Sequence, residues 1–214
     1  MTILKNYERE YVENVFRLVE NEVKISFFTQ TPENQAGRET HEILEEISSI
    51  SDNIILTVYD FEKEKSKVEE YQIDKIPAIV VEGVKDFGIR FFGVPSGYLV
   101  SSLIEDVIQI SKNESELTDE TKQKLEEVVN PLSLEVFVKP TSPYSPSLVN
   151  IAHRMALENE NISAHLVNVS DYPHLAMRFN IEDVPHTVVN GKESVEGALN
   201  EKDFTDKILE VYRG

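Results

Sequence analysis

The chain repeats itself, and this repeat constrains its fold more than any other feature. Residues 76–83 read Ile-Pro-Ala-Ile-Val-Val-Glu-Gly, and residues 184–191 read Val-Pro-His-Thr-Val-Val-Asn-Gly. Both are a turn, a proline, a short apolar strand and a second turn. The interval from Pro77 to Pro185 equals that from Gly83 to Gly191, and the flanks keep step. Upstream, runs 23–28 and 133–138 are rich in apolar and β-favouring residues and predict strands. Each runs into a proline-containing loop, 29–36 or 139–145, followed by a helix. Ile43, Leu44 and Ile47 in one half, and Leu148, Ile151, Ala152 and Met155 in the other, have the spacing of one buried helix face.

Strands over 53–59 and 164–169 come next, then short helices ending near Tyr71 and Phe179, the proline motif, and a further strand. Helices over 97–111 and 201–212 close the two halves, so each reads β-α-β-α-β-β-α. An extra helix opens each half: one over 4–18, the other with Thr118 as N-cap and Glu127 near its end. Strands alternating with helices predict crossover connections and an α/β fold, each half a central mixed sheet flanked by helices. The polar stretch 112–116 divides the chain into expected domains 1–115 and 116–214.

A hydrophobic fraction of 40% beside 28% charged residues supports a packed core. The 39 acidic and 21 basic residues leave a net charge of -18, which repels nucleic acid and anionic lipid, so neither is expected as a partner. Stretches 42–46 and 62–70 read as exposed acidic helix faces. No run approaches the roughly 18 apolar residues of a membrane span. Residues 1–20 mix Lys, Arg and Glu without an apolar signal core, so a cytoplasmic location is expected. The five histidines lack ligand spacing, the acidic residues lack a calcium-loop pattern, and no Gly-rich phosphate loop occurs; no metal or cofactor is expected.

The chain has no cysteine, which excludes disulfides, thiolate metal sites and thiol catalysis in the sequence as it stands. That absence matters most at residues 141–146, Thr-Ser-Pro-Tyr-Ser-Pro. With cysteine at 142 and 145 the loop would read Cys-Pro-Tyr-Cys-Pro. Through this loop, the duplication, the Ile76-Pro77 and Val184-Pro185 pairs and the run Phe-Phe-Gly-Val-Pro-Ser-Gly at 91–97, the chain resembles the tandem thioredoxin- and glutaredoxin-like protein disulfide oxidoreductases of archaea and bacteria. The peroxide-reductase flavoproteins carry a similar tandem module at their N-terminus. The resemblance covers essentially the whole chain and implies two thioredoxin-like folds.

It also implies roles. Ser142 and Ser145 stand at the two catalytic cysteine positions. In the family the first thiol, at an exposed loop tip, attacks a disulfide, and the second, three positions on, resolves the mixed disulfide. Unpaired amides and the helix dipole at the adjoining helix start favour the thiolate. A serine hydroxyl is far less acidic and forms no disulfide, so the sequence as written is a redox-inactive form of a thiol–disulfide oxidoreductase. Two readings of the serines stay open: a substituted form of an active parent, which the intact Pro143, Tyr144 and Pro146 frame favours, and a naturally redox-silent chain. Pro77 and Pro185 correspond to the family's cis-prolines, which X–Pro bonds readily allow. Pro143, Tyr144, Val184 and Pro185 are expected to border substrate, Val184 offering backbone groups to an extended chain. The implied partners are protein thiols or disulfides, extended polypeptide held by a redox-dead binding module, or a flavoprotein reductase served by an electron-relay domain.

In the first half the same interval sets Asn34-Gln35-Ala36-Gly37 at the motif, so Asn34, Gly37 and Pro77 mark a vestigial site. Ser145 also reads as a good N-terminal helix residue, with Pro146 in the first turn. His153 reads as a surface or partly buried helix histidine directed away from the helix start, which leaves no base for hydrolase chemistry. His186 is expected to alternate to solvent.

Overall fold

Eight strands form one sheet, and their order shows the duplication. In a computed structural model describing residues 6–214, with side chains from residue 9 onward, the first half runs α1 (Asn6–Val15), a 3-10 turn (Phe16–Leu18), β1 (Val23–Thr29), α2 (Gln35–Ser48), β2 (Ile54–Asp60), α3 (Lys65–Glu70), β3 (Ala78–Glu82), β4 (Ile89–Phe92) and α4 (Leu99–Lys112). The second runs α5 (Asp119–Leu125), β5 (Leu132–Val138), α6 (Ser145–Glu158), β6 (Ile162–Asn168), α7 (Pro173–Arg178), β7 (His186–Val189), β8 (Glu193–Glu196) and α8 (Glu201–Arg213). The expected start of the first helix at residue 4 lies outside the described residues.

The strand order is β2-β1-β3-β4-β6-β5-β7-β8, so each half contributes the same four-strand pattern. Within a half, the central strand pairs parallel to one neighbour and antiparallel to the other: β1 with β2 and β3, β5 with β6 and β7. The halves meet edge to edge where β4 pairs parallel with β6, Ile89 opposite Ala164 and Phe92 opposite Val167. The sequence suggests two sheets; the structure joins them, because β4 and β6 are each buried strands whose open ladder groups satisfy one another.

Apolar periodicity decides which helix covers which face. Ile43, Leu44 and Ile47 of α2, Leu103 and Val107 of α4, Leu148, Ala152 and Met155 of α6, and Phe204 and Ile208 of α8 pack on one face. The other carries a smaller cluster under α3 and α7, including Phe28, Val68, Phe92, Phe137 and Tyr172. Caps set the boundaries. Thr118 accepts from Thr121 N at 3.3 Å and Asn200 from Asp203 N at 2.9 Å, each satisfying an orphan helix amide. The helix from Thr118 ends at Leu125 rather than near Glu127, and α4 starts at Leu99 because Gly97, at φ +57, still belongs to the preceding turn.

His153 corrects an expectation. It is only 1% exposed, and its Nδ1 lies 2.6 Å from Asp106 Oδ2. α4 and α6 pack on each other, so this residue faces the other half rather than water. Arg154 on α6 likewise pairs with Glu105 on α4. On the opposite sheet face, Arg90, His165 and Glu135 stand side by side across β4, β6 and β5. Arg90 makes two bonds to Asp86, at 2.8 and 2.5 Å. Burial pushes the His165 pKa down to about 3, and the cationic Arg90 and Lys75 act in the same direction.

Candidate functional site

The loop from β5 to α6 holds Ser142, Pro143, Tyr144 and Ser145. Ser142 N donates to Lys139 O at 3.0 Å and Ser145 N to Ser142 O at 3.4 Å, so the two serines flank one tight turn into the helix. Ser145 is the first residue of α6 and Pro146 sits in its first turn, where a missing N–H costs nothing. Pro143 is exposed, Ser142 is partly exposed and Tyr144 is 67% exposed, whereas Ser145 is fully buried. Among the described residues, the Ser145 Oγ has no hydrogen-bond partner. A buried hydroxyl without a partner is unfavourable; a thiol, a weak hydrogen-bonding group, suits such a place better.

The first half holds this loop in position. Tyr98 N donates to Pro140 O at 3.0 Å. Gly97 lies so close that a Cβ there would be 2.5 Å from the same oxygen. Glycine therefore serves both the left-handed turn and the close approach of the two halves.

The Val184–Pro185 peptide is cis, and Pro185 O accepts from Gly197 N at 3.1 Å. Among the described residues, neither the N–H nor the C=O of Val184 has a hydrogen-bond partner. A cleft of about 440 Å³ opens here, lined by Tyr144, Val184, Pro185, His186 and Glu196 among others. The structure thus brings Tyr144, Val184 and Pro185 to one cleft, with Ser142 and Ser145 on either side of Tyr144 in the chain.

His186 is not on a solvent face as the sequence suggests. β7 is buried on both faces, so alternation carries none of its side chains to water, and His186 is 4% exposed. Burial lowers its pKa, partly opposed by the Glu196 carboxylate across the β7–β8 ladder. Its Nε2 has no partner among the described residues.

The first-half counterpart is closed. Asn34 caps α2, its Oδ1 accepting from Gly37 N at 2.8 Å, and a Cβ on Gly37 would lie 2.8 Å from Thr29 Oγ1. The Ile76–Pro77 and Thr31–Pro32 peptides are both cis. Pro77 O accepts from Gly93 N at 2.9 Å, as its counterpart does from Gly197, but it also accepts from the Tyr172 hydroxyl at 3.2 Å. Asn34 and Gly37 are helix-start residues here, and Pro77 is covered by a side chain of the other half.

His153 stands two turns into α6, ~12 Å along the axis from Ser145, and is held by Asp106; it offers no base to either serine. The sequence pointed to neither Tyr172 nor the carboxylates around the cleft; Tyr172, Asp183 and Glu196 have no like residue at the matching position of the first half, and only Glu182 has an acidic counterpart, Asp74.

Comparison with known proteins agrees with this geometry. A family described as thioredoxin domain matches residues 132–210. The alkyl hydroperoxide reductase component AhpF of Staphylococcus epidermidis is 22% identical over 200 residues, covering 94% of this chain and 36% of that protein. The chain spans about a third of the length of the curated relatives it matches. The N-terminal domain of the alkyl hydroperoxide reductase AhpF of Enterococcus faecalis superposes with a TM-score of 0.89 at 23% identity, over 95% of this chain and 99% of that one. A protein disulfide oxidoreductase from Aeropyrum pernix gives 0.89 at 24% identity, over 97% and 93% of the two chains. With its doubled four-strand pattern, cis-prolines and helix-start loop, the chain is a thioredoxin-fold protein, matching an archaeal protein disulfide oxidoreductase and an AhpF N-terminal domain over nearly its full length.

Proposed function

We propose that the second half is a polypeptide-holding site of the thiol–disulfide oxidoreductase type, present without its sulfur pair: it binds an extended chain along the Pro185 loop and performs no exchange. The observation that carries this reading is the unpaired backbone of Val184 in a cis-proline loop, lining one cleft with Tyr144 between the two serines. An extended polypeptide can satisfy both Val184 groups as a strand edge would. With sulfur at 142 and 145 the same site would run exchange. The thiolate at 142 attacks a substrate sulfur and expels the other as a thiolate. The thiolate at 145 then attacks sulfur 142, releasing the second substrate thiol and leaving a 142–145 disulfide, so the substrate gains the two electrons the dithiol loses. Serine supports neither step.

The test is fluorescence anisotropy with a labelled, uncharged, cysteine-free extended peptide. Saturable binding is expected, weakened about tenfold by Pro185→Ala. Absence of binding, or binding indifferent to that substitution, would contradict the reading.

A second reading rests on the match to about a third of longer relatives that include an alkyl hydroperoxide reductase component. In it the chain is the electron-relay module beside a flavoprotein reductase, docked through its second half. The Ser142→Cys, Ser145→Cys form would then be reduced faster by such a flavoprotein than by small thiols. Equal rates would count against it.

A further inference from the structure

The cleft beside Pro185 has a charge pattern that the peptide-holding reading does not require. Glu182, Asp183 and Glu196 line it, and no lysine or arginine does. None of the three carboxylates takes part in an ion pair among the described residues, although many other acidic side chains do. Arg178 and Lys192 are the nearest basic residues in sequence, and neither lines the cleft. Like charges gathered in a concave, partly apolar site focus a negative potential there.

Two further groups line this cleft. His186 is 96% buried by its 4% exposure, lines the same cleft, and leaves Nε2 unsatisfied. A buried nitrogen without a partner, in a residue that lines a cleft, is a group that a ligand seated there can come to satisfy. Tyr144, 67% exposed, lines the same cleft, and an aromatic ring is a surface on which a cation or its aliphatic stem can rest.

Resting on the polypeptide-holding reading, we propose that this cleft selects a cationic segment: an extended polypeptide whose backbone pairs with Val184, with a neighbouring Lys or Arg received by Glu182, Asp183 and Glu196 over Tyr144, and a polar group hydrogen-bonded to His186 Nε2. The three carboxylates are the specificity-determining residues. Anionic ligands are rejected by the same groups, because a negative charge among three unpaired carboxylates meets repulsion from each.

The test uses three labelled peptides that differ at one position, carrying Lys, Gln or Glu. The Lys peptide is expected to bind about tenfold more tightly than the Glu peptide, with Gln between. In the combined variant Glu182→Gln, Asp183→Asn, Glu196→Gln that ratio falls to about one while Gln-peptide affinity holds. A second variant removes the same charge elsewhere, at exposed Glu39→Gln, Glu126→Gln, Glu210→Gln, and keeps the ratio. His186→Phe weakens all three peptides severalfold and alike. A ratio unchanged in the cleft variant, or lowered equally in both charge variants, overturns the proposal and assigns any preference to the overall charge of -18. Failure of the Gln peptide to bind removes the underlying reading as well. Binding of that peptide with no Lys–Glu difference removes charge selection alone.

Discussion

The Tyr172 hydroxyl donates to the Pro77 carbonyl at 3.2 Å, so a side chain of the second half covers the first-half cis-proline. Tyr172 is buried, and that burial pushes its phenol pKa up, keeping the donor protonated. At the other cis-proline, Pro185 O has only the Gly197 amide among the described residues, and the cleft beside it is open. One half of the duplicated fold has kept access to its proline loop and the other has closed it.

Tyr172→Phe removes one of two donors to the Pro77 carbonyl and leaves the ring in the core. The expected cost is about 1 kcal/mol, read from the urea midpoint at unchanged slope. Peptide affinity at Pro185 should not change.

The buried, unpartnered hydroxyl of Ser145 predicts the opposite sign. Ser145→Ala removes a desolvated polar atom without opening a large void, and should stabilise the chain by about 1 kcal/mol in the same assay. A loss of stability would mean that the hydroxyl has a partner.

Gly97→Ala should do damage at a distance. The new Cβ would fall 2.5 Å from Pro140 O at a residue held at φ +57. We expect a loss of about 2 kcal/mol and weaker peptide binding, because the Pro140 carbonyl anchors the loop that carries Ser142. The same substitution at Gly191, also at positive φ but with no atom within 4 Å of the added Cβ, should leave binding intact.

Acid sensitivity should trace to His165. Folded, it takes a proton only near pH 3, against 6.5 for the free side chain. Between those values the unfolded chain binds more protons, so stability is fully present above 6.5 and declines as pH falls toward 3. His165→Gln should flatten denaturation midpoints across this window. An unchanged profile would assign the decline to other groups.

Much of this was legible in the sequence because it was written twice. The paired Pro77 and Pro185 motifs, the helix faces at Leu44 and Leu148, and the Thr118 cap follow from period and local chemistry, and each recurs in the structure. Part of what escaped depends on contacts between the halves. His153 reads as a surface or partly buried residue because its partner, Asp106, lies on a helix of the other half. His186 looked outward because alternation assumes a sheet with one wet face, and β7 has none. The β4–β6 seam and the Tyr172 cover carry no repeat signal, since each occurs only once, and of the cleft carboxylates only Glu182 has an acidic counterpart, Asp74.

The most direct measurement concerns Ser142→Cys, Ser145→Cys. After mild oxidation the double variant should show no free thiol by alkylation, regain both on reduction, and accelerate insulin reduction by dithiothreitol. A well-folded double variant that keeps both thiols free after oxidation, or leaves insulin reduction at its uncatalysed rate, would contradict the claim that residues 142 and 145 occupy the positions of a redox pair.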